Sequence, residues 1–403
     1  MDKKNILIIS VYYPPIESIA SNRIYSFAKY LDKSKFNIFV HTVDEQKKYD
    51  NDLDGVEVLR VKNKAFFKQF TFNKRTNKLI HYSKVLYNIL INKFIKNSYQ
   101  NWIDDSFRLL RKKINEEKID LIISSFAPDA SHILALKLKK EFPYIKWIAD
   151  MRDEMSLSPF ISNDVKYRYH VLEKDICKYA NAVTSVSKPI LNEFVDICCN
   201  DNIIFNEIRN GYDFEIKNKK NNNSIFTISY IGNFYGEINP VNFLKSLELF
   251  IDKKNIKMKV RFIGVKTHFD ISNNIKDMIE IIPYVSHKQA VQMMRDSDAL
   301  LLIHPSNGRK GVYTGKLFEY LASLTPIVAL VDEDDVAAKL IYKCNAGYVS
   351  DNDNIENIEK ILYSAYNEWD NKEKREFNIE EIKKYHRKEQ TLKLEKLILE
   401  LLK

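Results

Sequence analysis

Apolar runs four to eight residues long alternate with amphipathic helical stretches along this chain, and they do so twice, on either side of a polar break. A run that is apolar at successive positions must be buried on both faces. Strands of that kind belong to parallel sheets covered by helices. In the first half the runs lie near Asn5–Val11, Asn37–Val43, Ile119–Ser125, Lys146–Asp150, Ala182–Ser187 and Ile203–Ile208. Amphipathic helices, such as Asn22–Leu31 and Ala130–Phe142, fall between them. The second half repeats the scheme near Phe226–Ile231, Lys257–Ile263, Ile279–Ile282, Ala299–His304, Pro326–Val331 and Gly347–Ser350. The expected class is α/β, with two parallel sheets.

A chain of 403 residues is too long for one ordinary core. The division falls at the turn signal Asn210-Gly211-Tyr212-Asp213 and the polar run Lys217–Ser224. The expected domains are 1–209 and 225–379, joined by a linker at 210–224. A long charged helix over 380–403 lies beyond the second sheet.

Composition narrows the function classes. The N-terminal residues Met1–Lys4 run straight into an apolar strand, without the apolar core and cleavage site of a signal peptide. No run approaches the roughly 18–20 apolar residues that span a bilayer. Cys177, Cys198, Cys199 and Cys344 form no C-x-x-C pair and stand apart from histidines at metal spacing, so they read as incidental thiols of a reduced, cytoplasmic protein. Between Arg60 and Lys118, fifteen Lys and Arg face four Asp and Glu, a local +11 that leaves −2 for the rest of a chain whose net charge is +9. Aromatic residues are interleaved there: Phe66, Phe67, Phe70, Phe72, Tyr82, Tyr87, Phe94 and Tyr99. Three readings stay open for this segment: contact with an anionic membrane leaflet, nucleic-acid binding, and solvated lysines on core helices. The α/β repeats match no common nucleic-acid module, and membrane contact is the reading adopted.

The most specific chemistry follows the strand Ala299–His304. A loop, Pro305–Tyr313, leads to a helix whose N-cap is Thr314. Gly315 in its first turn costs up to about 1 kcal/mol of helix propensity, but it leaves backbone N–H groups open to an anion. Lys316 puts a cation at the positive end of the helix dipole, unfavourable unless an anion sits there. Glu319 lies one turn on, on the same face, where its carboxylate is placed to accept two hydroxyls of a sugar or ribose. The bland alternative is an i,i+3 pair between Lys316 and Glu319, worth a few tenths of a kcal/mol. That pair does not account for Gly315.

At these residues the chain resembles the family 4-like glycosyltransferases of the GT-B fold, over nearly its whole length. The resemblance implies two facing Rossmann-like domains, an acceptor-binding one first and a nucleotide-sugar-binding one second, with the final helix crossing back to the first. It assigns Glu319 to the nucleotide ribose and the turn Thr314–Lys316 to the diphosphate. Many members carry a further Glu eight residues upstream, where this chain has Gly311. A branch that builds bacterial surface glycans shares the pattern G-x-Y-T-G-K-L-F-E-Y-L.

The other constellations are weaker. Gly232 and Asn233, in the turn after Phe226–Ile231, suit a tight loop beside a diphosphate, as they would any topological turn. Relatives add a basic residue there; this chain has Glu237-Ile238-Asn239, which leaves Lys316, Arg309 or Lys310 to meet the phosphates. Val285, in Pro283–His287, falls where relatives hold the base through backbone groups, and His287 reads as a helix-start residue. Tyr313 joins the donor set from the loop before the helix. In Ala149-Asp150-Met151-Arg152-Asp153, at a strand's carboxyl end, Asp150, Arg152 and Asp153 are the candidate catalytic residues for the acceptor, against the alternative of an Asp–Arg pair that fixes a loop. The first loop, Tyr12–Arg23, lacks the family's glycine pair. Asp332–Asp335 reads as the start of a helix over Ala337–Lys343 rather than as a metal site. No metal and no cofactor are expected.

The expected activity is transfer of a sugar, with retention, from a nucleotide diphosphate to a hydroxyl of a lipid-linked glycan precursor in polysaccharide synthesis. The partners are that donor and acceptor, with peripheral contact of 60–118 on the inner face of the membrane and no nucleic acid. A nucleotide-sugar epimerase and a non-catalytic binding module are the rivals.

Overall fold

The computed structural model describes residues 2–45, 53–64, 98–200, 202–217, 223–234, 236, 238–254, 256–304 and 311–403. Arg309, Lys310 and most of the basic and aromatic segment, 65–97, lie outside the described residues. The chain divides into two compact units. One is built from Met1–Ser185, Leu191–Glu207 and Thr391–Lys403, the other from Val186–Ile190 and Ile208–Gln390.

The first unit carries strands β1 (Lys4–Ile9), β2 (Phe36–Val43), β3 (Val56–Val61), β4 (Leu121–Phe126), β5 (Lys146–Met151), β6 (Ala182–Ser185) and β7 (Ile204–Glu207). They pair in the order β3-β2-β1-β4-β5-β6-β7, and every pairing is parallel. The centre is a near-continuous apolar layer: Ile6, Leu7, Ile8 and Ile9 face Leu121, Ile122 and Ile123, all fully buried. The connecting helices are α1 (Ile19–Tyr30), α2 (Gln100–Glu117), α3 (Ala130–Glu141), α4 (Asn163–Tyr179) and α5 (Lys188–Cys198).

Strand β3 has no counterpart in the sequence reading. Val56-Glu57-Val58-Leu59-Arg60-Val61 alternates apolar and charged residues and lies at the sheet edge, half-buried. An edge strand has one neighbour and needs no continuous apolar run.

The second unit holds a six-stranded parallel sheet, ordered β10-β9-β8-β11-β12-β13. Its strands are β8 (Phe226–Ile231), β9 (Met258–Ile263), β10 (Ile279–Ile282), β11 (Ala299–His304), β12 (Ile327–Val331) and β13 (Gly347–Ser350). Helices α6 (Val241–Lys254), α7 (His287–Arg295), α8 (Gly315–Ser323), α9 (Val336–Lys343), α10 (Ile355–Asp370) and α11 (Ile379–Lys383) complete it. Two apolar clusters occupy the sheet's faces, one around Leu317, Phe318 and Leu321 of α8, the other around Phe243, Leu247 and Phe250 of α6.

Two expectations are corrected. The helix predicted over 380–403 is two helices, α11 and α12 (Arg387–Leu401). Between them the backbone extends to pair with Tyr212, which donates to Tyr385 O at 3.2 Å and accepts from Arg387 N at 2.9 Å. Helical periodicity does not register a break made by a partner far away in sequence. The part of α12 within Thr391–Lys403 belongs to the first unit, where Glu395 receives Lys35 Nζ at 2.7 Å. The cysteines are also not all free thiols: Cys177 and Cys198 are joined by a disulfide, while Cys199 and Cys344 are unbonded. Their separation of 21 residues carries no pairing signal; the ends of α4 and α5 bring them within 5.0 Å between Cα atoms.

Among the described residues no helix is long and apolar enough to cross a membrane.

Burial also sets an acid limit on the first unit. His41 on β2 and His132 on α3 are fully buried, and burial pushes both imidazoles down to about 3. The unfolded chain binds these protons near pH 6.5 and the folded chain does not, so stability falls as pH drops below that value. His41 stacks on Trp102 at 5.2 Å, a position phenylalanine can fill. His41→Phe is expected to remove about 2 kcal/mol of the stability lost between about pH 7 and 5. Urea unfolding at the two pH values measures it, and equal losses in both proteins would exclude this origin.

Candidate functional site

In a parallel sheet, ligands bind outside the carboxyl ends of the strands, where the connections diverge. In the second unit that point lies between β8 and β11, because β8 connects outward to β9 and β11 to β12. Gly232 ends β8, and α8 follows β11. The structure brings Gly232 and Lys316 of α8 together there.

Helix α8 begins as its sequence predicts. The Thr314 hydroxyl accepts from Leu317 N at 3.3 Å, which leaves the amides of Gly315 and Lys316 ahead of the first intrahelical bond. The Lys316 side chain turns toward β8. Its Nζ donates to the Tyr230 hydroxyl at 2.8 Å and lies 4.1 Å from that ring's centroid. A methyl group on Gly232 would meet Lys316 Cε at 2.6 Å and Nζ at 2.7 Å, and its φ of +119° also favours glycine. Among the described residues no carboxylate offsets the burial of this ammonium, which falls to about 8. A cation held at a helix N-terminus without a counter-ion is a place prepared for an anion.

Glu319 does not pair with Lys316. Its Oε1 lies 2.9 Å from His287 Nε2, at the start of α7. The i,i+3 pair is therefore absent, and the two side chains serve separate partners. His287 is the residue missed by the sequence reading, which gave it only a helix-start role.

The remaining donor candidates separate. Asn233 turns its side chain away: Oδ1 accepts from Lys266 N at 2.8 Å and from Thr267 N at 3.3 Å, which fixes the loop after β9. Its carbonyl accepts the Tyr230 hydroxyl at 3.1 Å. Tyr313 is buried in the α8 core, its ring 5.5 Å from Phe318, so it supports the helix from beneath. Val285 is half-buried against the same core, beside the cap residue Ser286. Gly311 has a φ of +90°, and its N–H donates to Asp335 Oδ1 at 2.7 Å. Asp335 thus holds the loop before α8 rather than capping α9, where its side chain makes no cap bond.

In the first unit the switch lies between β1 and β4. Asp150, at the end of β5, is buried and fully engaged. Arg23 donates to Oδ2 through Nε at 3.0 Å and to Oδ1 through Nη2 at 2.7 Å. Ser125 and Thr184 hydroxyls donate at 2.9 and 2.8 Å. Burial pushes the carboxyl up, but Arg23 and the donated hydrogen bonds hold it below the usual carboxylate range. Asp150, the candidate for taking a hydrogen bond from an acceptor hydroxyl, has its lone-pair positions engaged, and its ion-pair partner is Arg23 rather than the neighbouring Arg152. Arg152 donates from Nη2 to Ala127 O at 2.6 Å, and its buried Nε meets no partner among the described residues. Asp153 is half-buried beside it and favours its charged form. Asp129, passed over in the sequence, stands nearer the switch, between β4 and α3. Burial raises its carboxyl, against the pull of Arg168.

Among the described residues no group of His, Cys, Asp and Glu is placed to hold a metal ion.

Comparison with known proteins bears on the fold. No protein-family model matches the chain, and no curated protein matches it. Solved structures do. Sucrose-phosphate synthase from Thermosynechococcus elongatus superposes with a TM-score of 0.64 at 11% identity, covering 99% of each chain. The lipopolysaccharide outer core galactosyltransferase WaaB, in its apo form, gives 0.58 at 13% identity, over 98% of this chain and 99% of its own. Arabidopsis thaliana UGT89C1, complexed with UDP-L-rhamnose, gives 0.56 at 11% identity over the whole of both.

The chain has the GT-B fold. The Gly232–Lys316 and Asp150–Arg23 arrangements each lie at the carboxyl edge of their own sheet, the first at the switch between β8 and β11 and the second at the end of β5.

Arg23→Met tests the Asp150 assignment. It leaves a buried carboxylate uncompensated and is expected to lower stability by about 3–5 kcal/mol. A urea midpoint within error of the wild type would show that the pair does not hold the unit.

Proposed function

We propose that the chain is a glycosyltransferase that moves a sugar from a nucleotide-diphosphate donor to a hydroxyl of a glycan precursor. The observation that carries this reading is Lys316: an ammonium turned over Gly232 at the sheet's switch point, beside the open amides of α8, with burial offset by no carboxylate among the described residues. A diphosphate supplies the charge that this arrangement lacks. Glu319, one turn on, has the geometry to take the two ribose hydroxyls, and the GT-B architecture supports the assignment.

In the reaction the bond from the anomeric carbon to the diphosphate oxygen breaks, and its electron pair leaves with the diphosphate. Lys316 and the amides of Gly315 and Lys316 stabilise the growing negative charge. The acceptor oxygen bonds to the anomeric carbon from the same face, so configuration is retained, and its proton passes to the departing diphosphate. No enzyme nucleophile enters this scheme. Asp150 and Arg23 act as positioning residues for the acceptor loop, with Arg152 and Asp153 beside them. The precursor we take to be lipid-linked and destined for a surface glycan. The +11 excess of residues 60–118 supports peripheral contact with an anionic leaflet, where each Lys or Arg is worth about 1 kcal/mol.

A thermal-shift panel of UDP, GDP, ADP, CMP and their sugars tests the reading and identifies the donor. Glu319→Gln is expected to weaken the responding nucleotide by about 1.5–3 kcal/mol, the worth of a charged hydrogen bond, at unchanged melting temperature. Lys316→Met keeps the buried stem, and is expected to lose binding without losing stability. An anion restores the ammonium from about 8 toward a free lysine's value, so binding takes up a proton and weakens as pH rises. Donor affinity is expected to fall about tenfold from near pH 7 to near 9 in the wild type. Silence across the whole panel would sink the nucleotide site; interconversion of donor alone would point to epimerisation instead.

A further inference from the structure

His287 is the first residue of α7, and Ser286 and Gln289 cap that helix with a reciprocal pair of hydrogen bonds. At such a position the helix dipole disfavours a charged imidazole. The side chain is nevertheless set against a carboxylate, with Nε2 2.9 Å from Glu319 Oε1. The pair is asymmetric in exposure: His287 is 60% exposed and Glu319 17%. Among the described residues Glu319 Oε2 accepts no hydrogen bond. An ionised carboxylate offers about four lone-pair positions. The imidazole occupies one, which leaves room for two ribose hydroxyls.

We propose that His287 is the positioning residue of the nucleotide site: its Nε2–H fixes Glu319 by Oε1, turns Oε2 to the ribose diol, and carries a proton that offsets the carboxylate's repulsion of the diphosphate. This inference rests on the nucleotide reading of Glu319 given above. Without the histidine, a glutamate one turn from an anion site would be free to rotate and would oppose the charge that Lys316 attracts.

The groups facing the imidazole decide its titration. Glu319 comes from α8, Asp213 from the segment between β7 and β8, and Arg387 from the start of α12. Lys288 follows it on α7, and the Phe214 ring lies 6.5 Å away. His386 is engaged 3.9 Å from Asp213. The hydrogen bond to Glu319 raises the imidazole above its ordinary value and Asp213 adds to the rise, while burial and Arg387 oppose it. The proton is therefore held to higher pH than on an ordinary imidazole. Its contribution to binding is present at lower pH and is lost as pH rises through the raised value.

Calorimetric titration of the full chain with UDP-glucose, GDP-mannose and ADP-glucose, from about pH 5.5 to 7.5, tests the inference. These diphosphate diesters keep their charge over that interval, and Lys316, at about 8, keeps most of its proton. The nucleotide sugar that binds is expected to weaken about fivefold as pH rises. His287→Gln keeps a donor but cannot titrate, so its affinity is expected to be nearly independent of pH. His287→Leu removes both, and is expected to weaken binding about tenfold throughout at unchanged melting temperature. A pH profile in His287→Gln identical to the wild type's, or tighter binding by His287→Leu, would overturn the positioning role. Tighter binding would mean that the histidine competes with the ribose. Absence of binding by the wild type to all three would overturn the nucleotide reading itself, and this inference with it.

Discussion

The ammonium of Lys316 constrains the second unit more than any other group. Repulsion from the helix dipole alone is worth about 0.3–1 kcal/mol, which an ordinary surface lysine avoids by pointing into water. Here the side chain is drawn toward β8, and its fall to about 8 corresponds to a cost on the order of 3 kcal/mol for keeping the charge. Tyr230 returns part of that through its hydroxyl and ring face. The phenol is itself fixed by donating to Asn233 O, and Tyr320 on α8 accepts the amide of Ile231 at 3.1 Å. Helix α8 and the end of β8 thus form one hydrogen-bonded piece. Gly232 is favoured as glycine by its φ of +119°, and a side chain there would also displace the Lys316 ammonium. The unfavourable parts of the arrangement are electrostatic, and on the function proposed above a single anion would relieve them together.

The first unit solves the opposite problem. Its buried charge is paired from the start, with four donated hydrogen bonds meeting the two oxygens of Asp150. Such a group has little left to offer a reacting molecule. It ties α1 to β4, β5 and β6 and so shapes the loops at their ends. Among the described residues near this edge, Arg152 Nε is a buried donor without a partner, and burial raises the carboxyl of Asp129.

The fold was legible in the sequence because burial on both faces writes a central parallel strand as an unbroken apolar run. Strands β8, β10, β11 and β13 fall where those runs predict. Where burial is one-sided the signal fails, as at β3, whose charged Glu57 and Arg60 interrupt the run. Where a distant partner decides, it also fails, as at the break between α11 and α12. The candidate site divides in the same way. Thr314 as a cap, Gly315 and the anomalous cation were readable because capping and the dipole act over one turn. The i,i+3 geometry correctly put Lys316 and Glu319 on neighbouring positions, but it could not show that Tyr230 and His287 claim them. Asp150 illustrates the limit most clearly. Its partner lies 127 residues away, and only the sheet order brings α1 beside β5.

Gly311 sharpens what this site can recognise. The resemblance places a glutamate at this position in many relatives, in contact with the donor sugar. Here the backbone has a φ of +90°, which a side chain adopts only with strain, and the amide is spent on Asp335. A carboxylate is thus still next to this loop, but it comes from the start of α9 and binds backbone instead of facing outward. Gly311 is held by Asp335, which is itself buried. Replacing Gly311 by glutamate would break that hydrogen-bonded turn before it supplied a sugar ligand. On the function proposed above, selectivity for the sugar would therefore rest on other groups, while the nucleotide end would keep the Lys316 cation, the open amides and the Glu319 carboxylate.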